Sequence, residues 1–301
     1  MKHIVSISLG SSKRDHKTVE QLGGDTFCIE RIGTDGDKKK AIQLIRELDG
    51  KVDAFGLGGT DLYIYAGNKR YTFRESVQIA NAAKKTPIVD GSGLKNTLER
   101  RVVKYLEDTR GIQFRNRPVL VVCAVDRFGL AEAFTEAGSQ TVFGDLMFGL
   151  GLPLPIRSLT GLSRLASLIA PVITKLPISW FYPTGERQNE IKPQFSEYFA
   201  AADIIAGDFH FIRRNMPNSL EGKLIITNTV TAADELLLQE RGVETLVTTT
   251  PDMGGRSFGT NTLEGILVSI AGKRPDQLEV QDYERLLDQL GIKPRIKQLI
   301  R

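Results

Sequence analysis

Asp61, Asp90 and Lys95 are the residues of this sequence best suited by type to moving a proton. A carboxylate beside an ammonium orients it and stabilises its cation, so the pair can exchange a proton with a hydroxyl or carbonyl. Asp208 with His210 is a second pair of the same kind, its imidazole titrating near neutral pH. A third feature is the turn Ala124-Val125-Asp126-Arg127-Phe128-Gly129, followed about twenty positions on by Asp145. A dinucleotide fingerprint reads G-x-G-x-x-G there, and the later acid holds ribose hydroxyls. Here the glycine positions hold Ala124, Asp126 and Gly129. A carboxylate in the middle position repels a pyrophosphate unless Arg127 offsets it or Asp126 meets a neutral part of the ligand. The chemistry these groups suit together is hydride exchange with a nicotinamide cofactor. NAD is expected over NADP, because Asp145 would face the 2′-phosphate.

The elements that must position these groups read as strands alternating with helices. Val119 to Cys123 is too densely apolar to alternate, the pattern of a strand covered on both faces. Leu130, Ala131, Ala133, Phe134 and Ala137 recur at helical spacing, and Thr141 to Phe143 is the next strand. Before this unit come strands at Ile4–Leu9, Phe27–Ile32, Val52–Leu57 and Pro87–Asp90, a hairpin across Gly67-Asn68, and helices at Lys38–Leu48, Arg74–Lys85 and Leu98–Leu106. The loop Gly10 to His16 offers backbone N–H groups with Lys13 and Arg14, a cradle for a phosphate or carboxylate or else a solvated connection. After it, strands are expected at Ile178–Tyr182, Asp203–Ala206, Lys223–Ile226 and Thr245–Thr249. They end near Thr184, Asp208, Asn228 and Thr250. Right-handed crossovers put such ends on one edge of a parallel sheet, so the residues converge on one cleft.

The fold expected is α/β, with an N-terminal α/β domain over 1–112 and a doubly wound Rossmann-like parallel sheet over 113–275. A helical tail over 276–301 follows, its Tyr283, Leu286, Leu287 and Leu290 on one face. The 301 residues are enough for two full-sized cores. Forty basic against thirty-six acidic residues gives +4, and the basic clusters lack interleaved aromatics or a reader motif, which argues against nucleic acid. With two cysteines, one in a core strand, and no signal core or membrane-length apolar run, a reduced cytoplasmic protein is expected. The three histidines have no ligand spacing, so no metal is expected, and neither a G-x-S-x-G elbow nor a P-loop occurs.

Val89-Asp90-Gly91-Ser92-Gly93-Leu94-Lys95, the opening Ser6 to His16 and the loop Gly58-Gly59-Thr60-Asp61, ahead of a Rossmann unit at Pro118, together resemble bacterial quinate/shikimate 5-dehydrogenases. The resemblance spans most of the chain. It implies an NAD(P)-dependent oxidoreductase acting on a small polyhydroxy carboxylate such as quinate or shikimate. Lys95 would be the acid–base group with Asp90 or Asp61 as its partner. Ser6 and Ser8, which fit that family's S-x-S loop, would bind the substrate with Lys13 or Arg14. Ala124, Asp126, Arg127, Phe128, Gly129, Asp145, Thr184, Asp208, Asn228 and Thr250 would bind the cofactor. No N-V-T-x-P motif precedes Lys95, and the turn departs from the glycine-rich pattern. The alternative is a Rossmann-like protein that binds a small molecule without redox chemistry. Neither reading needs a membrane, and self-association is open in both.

Overall fold

The computed structural model describes residues 1–66, 69–177, 190–253, 256–257 and 259–300. The strand expected at Ile178–Tyr182 and the candidate Thr184 lie outside the described residues. The protein is α/β, built from two sheets that share one plan.

The first half runs β1 (Lys2–Ser8), β2 (His16–Leu22), β3 (Asp25–Gly33), α1 (Lys38–Leu48), β4 (Ala54–Gly58), the hairpin β5 (Tyr63–Ala66) and β6 (Lys69–Thr72), α2 (Arg74–Ala80), β7 (Ile88–Val89) and α3 (Ser92–Arg110). Its sheet has the order β2-β3-β1-β4-β7, with β3, β1, β4 and β7 parallel and β2 antiparallel at the edge. β2 has no counterpart in the sequence reading, because His16 to Leu22 alternates between half-buried and exposed positions with few apolar residues. α3 begins well before the expected Leu98, which puts Lys95 on its first turn instead of in a loop. Ser92, Gly93, Asn96 and Thr97 are weak helix formers, and packing overrides their propensity.

The second half runs β8 (Pro118–Val121), α4 (Phe128–Glu136), β9 (Gln140–Phe143), α5 (Leu159–Ile173), α6 (Ser196–Ala201), β10 (Ile204–Ala206), α7 (Phe209–Asn215), β11 (Leu224–Thr227), α8 (Ala232–Glu240) and β12 (Thr245–Thr248). The pair β13 (Asp252–Met253) and β14 (Arg256–Ser257), α9 (Thr260–Ala271), α10 (Val280–Gln289) and β15 (Arg295–Gln298) complete the chain. The sheet order is β9-β8-β10-β11-β12-β15, parallel except for β15. Strand order reverses between β8 and β10 here and between β1 and β4 in the first sheet. Such reversals open a crevice at the carboxyl ends of the strands.

The chain does not divide at 112 and 275 as expected. Leu263, Ile266 and Leu267 of α9, with Tyr283, Leu286 and Leu287 of α10, pack against Ile4, Phe27, Ile29 and Ala54 of the first sheet. β15 then returns to the second sheet beside β12. The chain therefore crosses between the halves after α3, before α9 and after α10. Helical periodicity shows that α9 has an apolar face but not which sheet covers it, and that is why the division was misplaced. Gly265 lets the contact be close, since a Cβ there would lie 3.2 Å from Ile4 Cγ2.

A fragment of residues 1–112 leaves Ile4, Ile29, Ala54, Leu94 and Leu98 without the α9 and α10 cover. Each large apolar side chain left in water forfeits about 1.5–3 kcal/mol. The fragment should show little amide dispersion by NMR and no cooperative melting. A cooperatively folded fragment would show that α9 and α10 are not needed by the first sheet.

Candidate functional site

The two strand-order reversals face one another across a single polar cleft. Ser6 and Ser8 close β1, Gly58 to Asp61 follow β4, Asp126 and Arg127 follow β8, and Asp208 and His210 follow β10. All of them line a cavity of about 150 Å³, with Arg14, Arg31, Asp90, Lys95, Phe211, Asn228 and the start of α9.

A buried ion array forms the cleft floor. Lys95 Nζ donates to Asp61 Oδ1 and Asp126 Oδ1, each at 2.8 Å. Arg127 Nη1 donates to Glu99 Oε1 at 3.0 Å and its Nη2 to Asp208 Oδ2 at 2.9 Å, while Nε lies 3.5 Å from Asp126 Oδ2. Burial, then the charge of Asp126, pushes Asp61 up to about 7. Burial works against ionisation of Asp126 too, but Lys95 and Arg127 outweigh it and hold this carboxyl down at about 2. Glu99 is raised by burial. Two cations thus face four carboxyl groups, and the excess negative charge is relieved by the proton affinity of Asp61 and Glu99.

Besides α4, whose N-cap is Arg127, the helices α7, α3 and α9 begin at the cleft. Asp208 caps α7 by accepting the His210 N–H, and it also accepts from Asn228 Nδ2 at 2.8 Å. At the start of α3, Asp90 accepts from the Leu62 N–H and the Ser92 hydroxyl, and Glu264 accepts the Gly91 N–H at 2.7 Å. At the start of α9, Asn261 Nδ2 donates to Ser6 Oγ at 2.8 Å, while Thr260 Oγ1 is buried without a partner. Ser8 Oγ accepts from Arg31 Nη2 at 3.1 Å. Across the cleft, Arg14 Nη1 donates to His210 Nε2 at 3.2 Å. Arginine cannot accept, so Nε2 is the acceptor and the imidazole proton sits on Nδ1, which is buried and unpartnered. Burial, then the Arg14 cation, pushes His210 down to about 4 and keeps it neutral.

The structure therefore brings together Lys95, Asp90, Asp61, Ser6, Ser8, Arg14, Asp126, Arg127, Asp208 and Asn228, with His210. The remaining expectations are corrected. Lys13 is exposed and lines no part of the cleft. Thr250 is buried behind it, its hydroxyl donating to Asn228 O at 3.1 Å. Phe128 packs in the core of the second half. Asp145 holds no ribose site open: its Oδ1 accepts the Ala124 and Val125 N–H groups at 2.9 and 2.8 Å. Gly129 serves helix packing, since a Cβ there would lie 2.7 Å from Asn96 O of α3.

Sequence reasoning missed Arg31, read as a strand position, and Glu99, which falls inside the helix expected at Leu98–Leu106. It also missed Thr260 and Asn261, because α9 was assigned to the other half. A strand end running into Gly259-Thr260-Asn261-Thr262 ahead of an apolar helix is the signal that was there to find.

Over residues 93–299 the chain matches the family model of the domain of unknown function DUF8754, and over residues 3–90 that of the domain of unknown function DUF8753. No curated protein matches the sequence. Similar solved structures include a galactofuranose binding protein, 12% identical, covering 97% of this chain and 99% of that one at a TM-score of 0.37. Another is the periplasmic binding protein component of the arabinose ABC transporter from Shewanella sp. ANA-3, 11% identical over 96% and 97% at 0.34. A third is the hetero-hexameric glutamate dehydrogenase from Thermus thermophilus, 13% identical over 96% and 74% at 0.43.

The expectation of an NAD(P)-dependent oxidoreductase, and the NAD-binding assignment with it, is corrected. The correction rests on the chain's own turn. The N–H groups of Ala124 and Val125 are taken by Asp145, that of Gly129 by Asn96 Oδ1 and that of Leu130 by Glu99 Oε2. Side-chain oxygens of Asp145, Asn96 and Glu99 take the donors that a pyrophosphate would need, so a dinucleotide does not fit this turn.

Glu264, beneath the start of α3, gives a pH signature. Burial, reinforced by Asp90, pushes it from 4.5 to about 8, against the donors Tyr283 and Gly91. The folded chain keeps a proton that the unfolded chain releases, so this contribution is complete below about pH 4.5 and lost as pH rises through 8. Urea unfolding should show Glu264→Gln losing less stability than the wild type between about pH 5 and pH 8. Parallel profiles would contradict the assignment.

Proposed function

Because the chain belongs to the family of the domain of unknown function DUF8754, its activity has to be read from its own cleft, and we propose that the protein binds a small, neutral, hydroxyl-rich molecule there. The observation that carries this reading is the pair of strand-order reversals sharing one cavity whose lining is mostly hydrogen-bonding side chains. A volume of about 150 Å³ is the space of roughly five waters at about 30 Å³ each, which suits a small molecule and not a dinucleotide. The lining combines acceptors, from Asp61, Asp90, Asp126 and Asp208, with donors from Arg14, Arg31, Asn228 and Asn261. Vicinal hydroxyls, each both donor and acceptor, match such a surface. A phosphate would meet four carboxyl groups, which disfavours it.

Calorimetric titration with pentoses, hexoses, polyols, sugar acids and NAD tests the reading. A neutral sugar or polyol should bind saturably and NAD should not. His210→Phe, which replaces a polar part of the cavity wall with an apolar ring and frees Arg14 Nη1, should weaken that ligand by about tenfold or more, near 1.4 kcal/mol. Saturable NAD binding, or unchanged affinity in the variant, would overturn it.

A further inference from the structure

One stretch of surface differs from the rest of the molecule in composition. Ten large apolar side chains are exposed among the described residues, and five of them fall on two adjoining segments. Leu150, Leu152 and Leu154 lie on the loop after β9, and Leu168 and Val172 on α5. Leu150 borders the same small apolar cavity as Ile169 and Ile173, the residues next to Leu168 and Val172, so loop and helix are neighbours. α5 buries Leu162, Ala166 and Ala170 on its inner side. A surface helix ordinarily turns a polar face to water, yet here Leu168 is 74% exposed and Val172 58%. Apolar side chains exposed singly need no explanation, but a group of them marks a surface that meets something.

The charges around this patch have one sign. From Leu146 to Pro177 the sequence holds Arg157, Arg164 and Lys175 and no acidic residue, although 36 of the 301 residues of the chain are acidic. All three cations are exposed. The hairpin of β5 and β6 packs against α5, and Leu62 to Arg74 likewise holds Lys69, Arg70 and Arg74 and no acid. The Arg74 N–H donates to Thr174 O at 3.1 Å, which brings that residue to the end of α5 beside Lys175.

We propose that the loop after β9 and the outer side of α5 form a docking surface for an anionic phospholipid bilayer. The leucines and Val172 enter the boundary between headgroups and acyl chains, and the surrounding cations rest on the lipid phosphates. No helix among the described residues is long and apolar enough to cross a membrane, so the contact lies in the interface. A second copy of the chain fits the patch less well. A two-fold contact sets the patch against itself, and it would bring Arg164 and Lys175 together without carboxylates to pair them. Protein partners are commonly anchored by aromatic side chains, whereas the exposed apolar side chains here are leucine and valine alone. None of the five lines the cleft, and the proposal does not depend on what the cleft binds.

The test is co-sedimentation of the full chain with vesicles of phosphatidylcholine alone and of phosphatidylcholine mixed with phosphatidylglycerol. The chain should bind the anionic vesicles at least about tenfold more tightly than the neutral ones, and less tightly as salt is raised. The double variant Leu168→Ser, Val172→Ser should lose about tenfold or more on the anionic vesicles. Leu236→Ser, at an exposed leucine of α8 away from the patch, should change nothing. Arg164→Gln with Lys175→Gln should reduce the preference for anionic vesicles at least about fivefold. Thermal melting establishes that each variant is folded; should the first double variant not fold, Leu168→Ser alone decides. Binding that is equal for both kinds of vesicle, absent on the anionic ones, or unchanged in the serine variants would overturn the proposal. A dimer in solution that the serine variants dissociate would overturn it too.

Discussion

The array of Lys95 and Arg127 with Asp61, Asp126, Asp208 and Glu99 is the constraint on which the rest of the cleft depends. It draws its members from both halves of the chain. Asp61 follows β4 of the first sheet, Asp126 and Asp208 follow β8 and β10 of the second, and α3 supplies Lys95 and Glu99 between them. Removing one member of such a buried set leaves its partner uncompensated, which typically costs about 3–5 kcal/mol. The array therefore fixes how the two strand-order reversals face each other, and the cavity shape follows from that.

The same array explains why a Rossmann-like plan carries a different site. Glu99 satisfies Arg127 with one oxygen and the Leu130 N–H of α4 with the other. Asp145 does the equivalent for the turn ahead of α4. Protein carboxylates thus stand where a helix N-terminus would receive a phosphate, and the polar surface is displaced toward the opposing half. There Ser6, Ser8 and Asn261 meet it.

Much of this was legible in the residues. Strand ends rich in Asp, Thr, Asn and Gly predicted a single polar edge, and Asp61, Lys95, Asp126 and Asp208 do converge. What failed shares one physical cause: a sequence shows what a side chain can do but not what already occupies it. An acid about twenty residues after a turn reads as a ribose ligand, and only the fold shows that Asp145 bends back onto its own turn. Gly129 reads as the last glycine of a dinucleotide fingerprint, and only the approach of α3 shows what it packs against. The apolar periodicity of α9 was plain, yet the partner sheet was not, and the cleft residues Thr260 and Asn261 were lost with it.

A double-mutant cycle on Lys95→Met and Asp126→Asn, read by denaturant unfolding, tests this account most directly. If the two charges compensate each other at the junction, each single variant loses several kcal/mol and the double variant loses less than their sum by at least about 1 kcal/mol. Losses that add within about 0.5 kcal/mol would mean that the pair is not coupled, and that something other than this array sets the two halves against each other.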